Sequence, residues 1–385
     1  MPKRVCIIAG EVSGDLHAAA LVRALAAEDA NLTFFGTGGD QMRAAGVDTL
    51  YDVEQLAVMG ISEVLRRYPF FRRMFKHLCR ELDSRKPDIL VLVDYPGFNL
   101  RFAQQAHRRG IKTVFYISPQ VWAWKRSRIP KMAACLDHLI TIFPFEARYF
   151  EGTSLPVTFA GNPLVDELQQ DPTVAPTDTA TDTPTIALLP GSRVHEIRRL
   201  LPVMLNACER VAAERSDVRF IIASASETLT PYIETQTKEH AGNAAERISV
   251  VTGSTRAILA EARAAWVASG TATVETALLR CPMVITYRVA PLTFALARRI
   301  VNVDHIGMVN IIAERRLCPE FVQDQATAEN LATAIIPLID DGDARQEMLD
   351  GLAEVSNALG EPGAAQRAAT VVLDVLNDVQ PIKTS

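Results

Sequence analysis

The sequence lacks paired cysteines, a basic excess and any apolar run long enough to cross a bilayer. Its six cysteines (Cys6, Cys79, Cys135, Cys208, Cys281, Cys318) are scattered, with no C-x-x-C pair. They fit free thiols in a reducing cytoplasm better than disulfides or a zinc site. A formal net charge of −5 argues against nucleic acid as a general partner, while leaving room for a local basic patch. The opening MPKRVCIIAGE has only Val5–Ala9 between its basic residues and a glutamate. That is too short for a signal-peptide core or a membrane span, so the chain reads as one kept in the cytosol. The dinucleotide fingerprint is missing as well: Gly10 and Gly14 stand four apart, and no Lys-Ser/Thr pair follows to make a P-loop. No internal repeat is visible.

What is present is 385 residues, 48% hydrophobic and 22% charged, enough for about two to three domains. Short apolar runs at Val5–Ala9, Leu32–Gly36, Ile89–Asp94, Thr113–Ser118, His138–Phe143 and Val157–Ala160 alternate with helical segments. The pattern recurs at Thr185–Leu189, Val218–Ala223, Ile248–Val251, Ala264–Ala268 and Met283–Tyr287. Alternation of this kind predicts an α/β fold with two Rossmann-like parallel sheets, ligands gathering at the carboxyl ends of the strands. Asp171–Thr185 (DPTVAPTDTATDTPT) cannot bury a core and reads as a linker. The expected division is therefore 1–170, a linker 171–185, and 186–360. Residues 361–385 form a C-terminal helix returning to the first domain or docking on a partner copy.

Several strand ends carry candidate chemistry. In Ala264–Glu275 (AAWVASGTATVE), a strand passes through Ser269, Gly270 and Thr271 into a helix expected to reach about Arg280. Unpaired amides at such a helix start suit a phosphate or diphosphate, and Gly270 allows close approach. Glu275, one turn on, would accept from sugar hydroxyls; the alternative is a Ser269 cap and a solvated Glu275. Leu189-Pro190-Gly191-Ser192-Arg193 is a second glycine turn, its arginine aimed at the same diphosphate or paired with Glu196. Asn310, in an apolar stretch, needs partners if buried, and a ligand is one candidate. In the first half, Glu11, Ser13 and Asp15 in the loop after the first strand suit sugar hydroxyls, or are turn and cap residues. Asp94 at the end of Ile89–Val93 is a candidate general base, or a capping aspartate. Trp122, in SPQVWAWK, walls the site or packs beneath a loop. Phe70, Phe71, Met74 and Phe75 fall at helical spacing among arginines, which suits an anionic membrane surface or a core-facing stripe; the expectation here is the membrane.

The stretches AGEVSGD, LAVMGISEVL, SPQVWAW, LLPGSR, SGTATVETAL and CPMVITYR together resemble the lipid-A-disaccharide synthase family, over nearly the whole chain. The resemblance implies a GT-B-type glycosyltransferase whose two domains face one another across a cleft. It implies inverting transfer of diacylglucosamine from its UDP form to the 6-hydroxyl of diacylglucosamine 1-phosphate, with release of UDP and no metal or other cofactor. It makes Asp94 the catalytic carboxylate, places Glu11 in the first glycine loop, assigns Arg193 and Asn310 to the donor site and puts Glu275 on the ribose. It also implies peripheral attachment to lipids of the inner face of the cytoplasmic membrane, and in some members a homodimer. Gly97 stands where some relatives carry a second acidic residue, so that acid is dispensable here. A soluble UDP-sugar 2-epimerase and a non-catalytic nucleotide-sugar-binding protein are the rival expectations for the same fold.

Overall fold

The computed structural model describes residues 2–56, 61–174, 183–300 and 303–379. The chain divides into two compact units, Met1–Asp166 with Gly360–Ser385, and Glu167–Leu359. Residues 57–60 of the apolar LAVMGI stretch and 175–182 of the expected linker lie outside the described residues.

In the first unit β1 (Arg4–Ala9), β2 (Thr33–Gly38), β3 (Asp48–Asp52), β4 (Ile89–Val93), β5 (Lys112–Tyr116), β6 (His138–Thr141) and β7 (Val157–Phe159) form one sheet ordered β3-β2-β1-β4-β5-β6-β7. Every pairing is parallel. Successive side chains point to opposite faces, so Val5, Ile7 and Ala9 enter one core while Cys6 and Ile8 enter another. The first core is covered by the helices Val12–Glu28 and Ala364–Leu376, through Leu21, Leu25, Ala368 and Val372. The second is covered by Ile61–Arg85 and Pro96–His107, through Met74, Leu78, Leu82 and Phe102. Burial on both faces is why β1, β4 and β5 read as near-continuous apolar runs. The edge strand β3 (DTLYD) is half-exposed and polar, which hid it from the pattern.

Met74 is thus a core residue, 1% exposed, and its expected membrane contact is corrected. Phe70, Phe71 and Phe75 are half-buried against the same core, while Arg72, Arg73 and Lys76 stay in water. The terminal helix Ala364–Leu376 is anchored to the first unit: Asp166 accepts from the amides of Gly363 and Ala364, and Arg367 Nε donates to the Ala160 carbonyl at 2.7 Å.

In the second unit β8 (Thr185–Leu189), β9 (Arg219–Ser224), β10 (Ile248–Thr252), β11 (Ala264–Ala268), β12 (Met283–Tyr287) and β13 (Glu320–Val322) form a parallel sheet ordered β10-β9-β8-β11-β12-β13. The helix Val194–Glu214 buries Ile197, Leu201, Met204, Cys208 and Val211 at helical spacing. Arg256 ties the start of this unit to its body, pairing with Glu167 (2.8 Å), Asp171 (3.2 Å) and Glu275 (2.7 Å). All six cysteines are unpaired. Among the described residues no helix is long and apolar enough to cross a membrane.

Candidate functional site

Ala9, Val93 and Tyr116 lie in adjacent register at the ends of β1, β4 and β5. The residues that follow them, Gly10-Glu11, Asp94-Tyr95 and Ile117, therefore emerge together at one sheet edge. Asp94, Tyr95 and Ile117 all have left-handed backbones, with φ of 46°, 47° and 68°. For a β-branched residue such as Ile117 that is a costly conformation, of the kind that gathers where a site needs it. Asn99 supports the turn: it is fully buried, and its Nδ2 donates to the carbonyls of Val93 (3.2 Å) and Asp94 (2.7 Å). The Tyr95 ring lies over Gly10 so closely that a Cβ there would come within 2.3 Å of it. Any residue but glycine would displace the ring.

Asp94 is half-buried, and its carboxyl is pushed up to about 6 by burial and by the Glu11 carboxylate, against the pull of the Tyr95 amide. Glu11 is exposed, immediately before the helix Val12–Glu28, and Ser13 is exposed beside it. Asp15 is different. It is buried, and its two oxygens accept from the amides of Gly39 (2.6 Å), Gln41 (3.0 Å) and Met42 (3.1 Å) at the start of the helix Asp40–Ala44. The expected sugar contact at Asp15 is corrected to a cap on a neighbouring helix. Trp122 is also buried, edge-on to Phe145 with centroids 5.2 Å apart, and so packs beneath its loop.

In the second unit the glycine turns sit where the pattern put them, but their polar residues are already engaged. Glu196 accepts from the amides of Ser192 (3.2 Å) and Arg193 (3.3 Å) and pairs with the Arg193 guanidinium at 3.3 Å. Arg193 remains 64% exposed, and an exposed pair of this kind is weak enough for an anion to displace. Ser269 Oγ donates to the Ile306 carbonyl at 2.9 Å, so its hydroxyl holds a loop. Gly270, with φ of 155°, has open space where a Cβ would stand, and Thr271 is exposed. The following helix is short, Ala272–Leu278, and stops before the expected Arg280. Glu275 keeps one oxygen beyond its bond to Arg256. Asn310 is fully buried and fully used: its amide donates to the Cys318 carbonyl (2.8 Å) and to Glu320 (2.7 Å), and its oxygen accepts from the Cys318 amide (2.8 Å). Its expected role as a ligand-facing amide is corrected to a structural one. Asn99, Tyr95, Arg256 and Glu320 were missed by the sequence reading, because what marks them is a contact made only in the fold.

A family model described as lipid-A-disaccharide synthetase matches residues 5–374. The chain belongs to the lipid-A-disaccharide synthase family. It is 40% identical to the lipid-A-disaccharide synthase of Myxococcus xanthus, covering 97% of this chain and 98% of that one. It is 39% identical to the one from Geobacter sulfurreducens, over 97% of each. Its fold is shared with a UDP-GlcNAc 2-epimerase from Neisseria meningitidis bound to UDP-GlcNAc (TM-score 0.62, 12% identity, 97% of this chain and 100% of that one). It is shared too with the calicheamicin glycosyltransferase CalG4 (TM-score 0.60, 16% identity, 98% and 99%). The fold is thus of the GT-B type, and at such identities the likeness to the epimerase speaks for fold alone. As a lipid-A-disaccharide synthase, the chain is a UDP-sugar-dependent glycosyltransferase of lipid A biosynthesis.

Proposed function

We propose that this enzyme condenses UDP-2,3-diacylglucosamine with 2,3-diacylglucosamine 1-phosphate, and that Asp94 is the base. The acceptor 6-hydroxyl passes its proton to the Asp94 carboxylate as its oxygen bonds to the anomeric carbon of the donor. The bond from that carbon to the phosphate oxygen breaks, its electrons leave with UDP, and the anomeric centre inverts. Arg193, leaving Glu196, and the amides above Gly270 and Thr271 receive the charge that builds on the diphosphate without a metal ion. Glu275, held by Arg256, offers its remaining oxygen to the ribose. Val12 (70% exposed) and Leu16, on one face of the helix after Glu11, suit the acyl chains of the acceptor. We place the enzyme peripherally on the inner face of the cytoplasmic membrane, where such substrates partition.

The observation that carries this reading is Asp94 itself, a carboxyl raised toward neutrality and held on a left-handed turn beside Glu11 at a strand-end edge. Asp94→Asn is expected to lower turnover about 10²–10⁴-fold while UDP binding, measured by calorimetry, stays unchanged. Disaccharide formation is read by mass spectrometry. Undiminished turnover would remove Asp94 from the chemistry, and loss of UDP binding as well would make it structural.

A further inference from the structure

No acidic residue occurs between Asp94 and Asp137, although the chain as a whole is acidic. That stretch includes the loop after β5, which starts at Ile117 beside Asp94: the Asp94 amide donates to the Tyr116 carbonyl at 3.0 Å. Further along it the cations Lys125, Arg126, Arg128 and Lys131 gather. None of them forms an ion pair among the described residues. Aromatic faces hold three of them instead: Lys125 Nζ and the Arg128 guanidinium lie 4.3 Å and 5.3 Å from the Trp124 ring, and Trp124 is 38% exposed. Arg126 lies 5.4 Å from the Tyr149 ring. Trp122, packed on Phe145, ties this loop to the segment Pro144–Phe150 after β6, so both strand ends contribute to one surface. A ring face orients a cation without neutralising it, whereas a carboxylate would cancel it. The acids of the second segment do little to offset the charge. Glu146 is buried, accepts from the amides of Ile142 and Phe143, and is pushed up to about 8 by burial; Glu151 is exposed at the segment's end.

We infer that this cation–aromatic cluster is a phosphomonoester site, and that its ligand is the anomeric phosphate of the acceptor glycolipid. The assignment rests on the proposed reaction, because the acceptor is the substrate that must present a hydroxyl to Asp94. Guanidinium forks match a phosphate bidentately, and the fixed charge would orient the sugar before proton transfer.

The test is the double variant Arg126→Gln/Arg128→Gln, with Lys125→Gln/Arg126→Gln, both exposed positions, as the alternative if the first fails to fold. Steady-state kinetics are measured with 2,3-diacylglucosamine 1-phosphate and with its analogue lacking the phosphate. The expected result is a KM for the phosphorylated acceptor raised about tenfold or more, with kcat and the donor KM unchanged. The preference for the phosphorylated over the dephosphorylated acceptor should disappear, while flotation on phosphatidylglycerol vesicles persists. An unchanged acceptor KM would overturn the proposal. Loss of flotation, with KM rising equally for both acceptors, would also overturn it and assign the cluster to anionic bilayer lipids. Titration of tryptophan fluorescence with glucosamine 1-phosphate reports binding independently of turnover. Saturable binding that the variant loses supports the site even if no disaccharide forms, and its absence in the wild type counts against the site.

Discussion

Asp94 bears two costs together, a left-handed backbone and a carboxyl withdrawn from water beside another acid. Its carboxyl lies near 6, above the usual carboxylate range, so the fold favours the protonated form. The base form appears as pH rises through about 6, and kcat/KM should fall below that point with unit slope. The linkage runs opposite to that of a salt-bridged acid: this group's contribution to stability is greatest below its unfolded value and is lost as pH rises through the folded one. Glu11→Gln removes a neighbouring negative charge and should move the acid limb of the pH–rate profile to lower pH; an unmoved limb would show the two carboxylates uncoupled. The strand-end position of Asp94 was legible in the sequence because a carboxylate closing an apolar strand can only stand at the sheet edge. Asp15 and Asn310 were misjudged for the converse reason. A buried polar side chain must be satisfied, but its sequence does not say whether a ligand or a distant backbone amide does so.

The helix Ile61–Arg85 shows why an amphipathic stripe is ambiguous. A face packed on a sheet and a face laid on a bilayer share one period, and both are rimmed by arginines whose stems run along apolar surface. The neighbours decide, and here Met74, Leu78 and Leu82 meet Leu90, Leu92 and Phe115 of the sheet. Met74→Asp should therefore destabilise the first unit by more than about 3 kcal/mol in urea denaturation, as expected for an unpaired charge in a core. Lys76→Glu, on the exposed side, should stay within about 0.5 kcal/mol. Equal stability for both variants would return Met74 to the surface. Two edge strands escaped the pattern, β3 and β13: both are half-exposed, and DTLYD and EFV each carry acidic residues in place of an apolar run.

At the scale of the chain, the first unit is completed by residues more than 350 positions from its start. Removing everything after Leu359 strips Ala368, Ala369 and Val372 from the core beside the helix Val12–Glu28. The truncated chain should lose the calorimetric transition of the first unit, while Glu167–Leu359 keeps its own. A single buried valine is worth about 1.5–3 kcal/mol, and the helix supplies several apolar contacts at once. Two surviving transitions would show that the terminal helix is dispensable. The return of the tail to the first unit was one of two expectations; its anchors, Asp166 on the Gly363 and Ala364 amides, join residues far apart in the chain.

Strand positions, glycine turns and the parallel architecture could be read from the chain because each is written within a few neighbouring residues: burial on both faces leaves an apolar run, and a sharp exit leaves a glycine. Folding alone assigned partners to Asp15, Ser269, Glu275 and Asn310, turned Met74 inward, and set Asn99 against the Asp94–Tyr95 turn. Those outcomes depend on which distant groups arrive at the same place, and a hydrogen bond or a packed face carries no trace in the sequence until its other half is beside it.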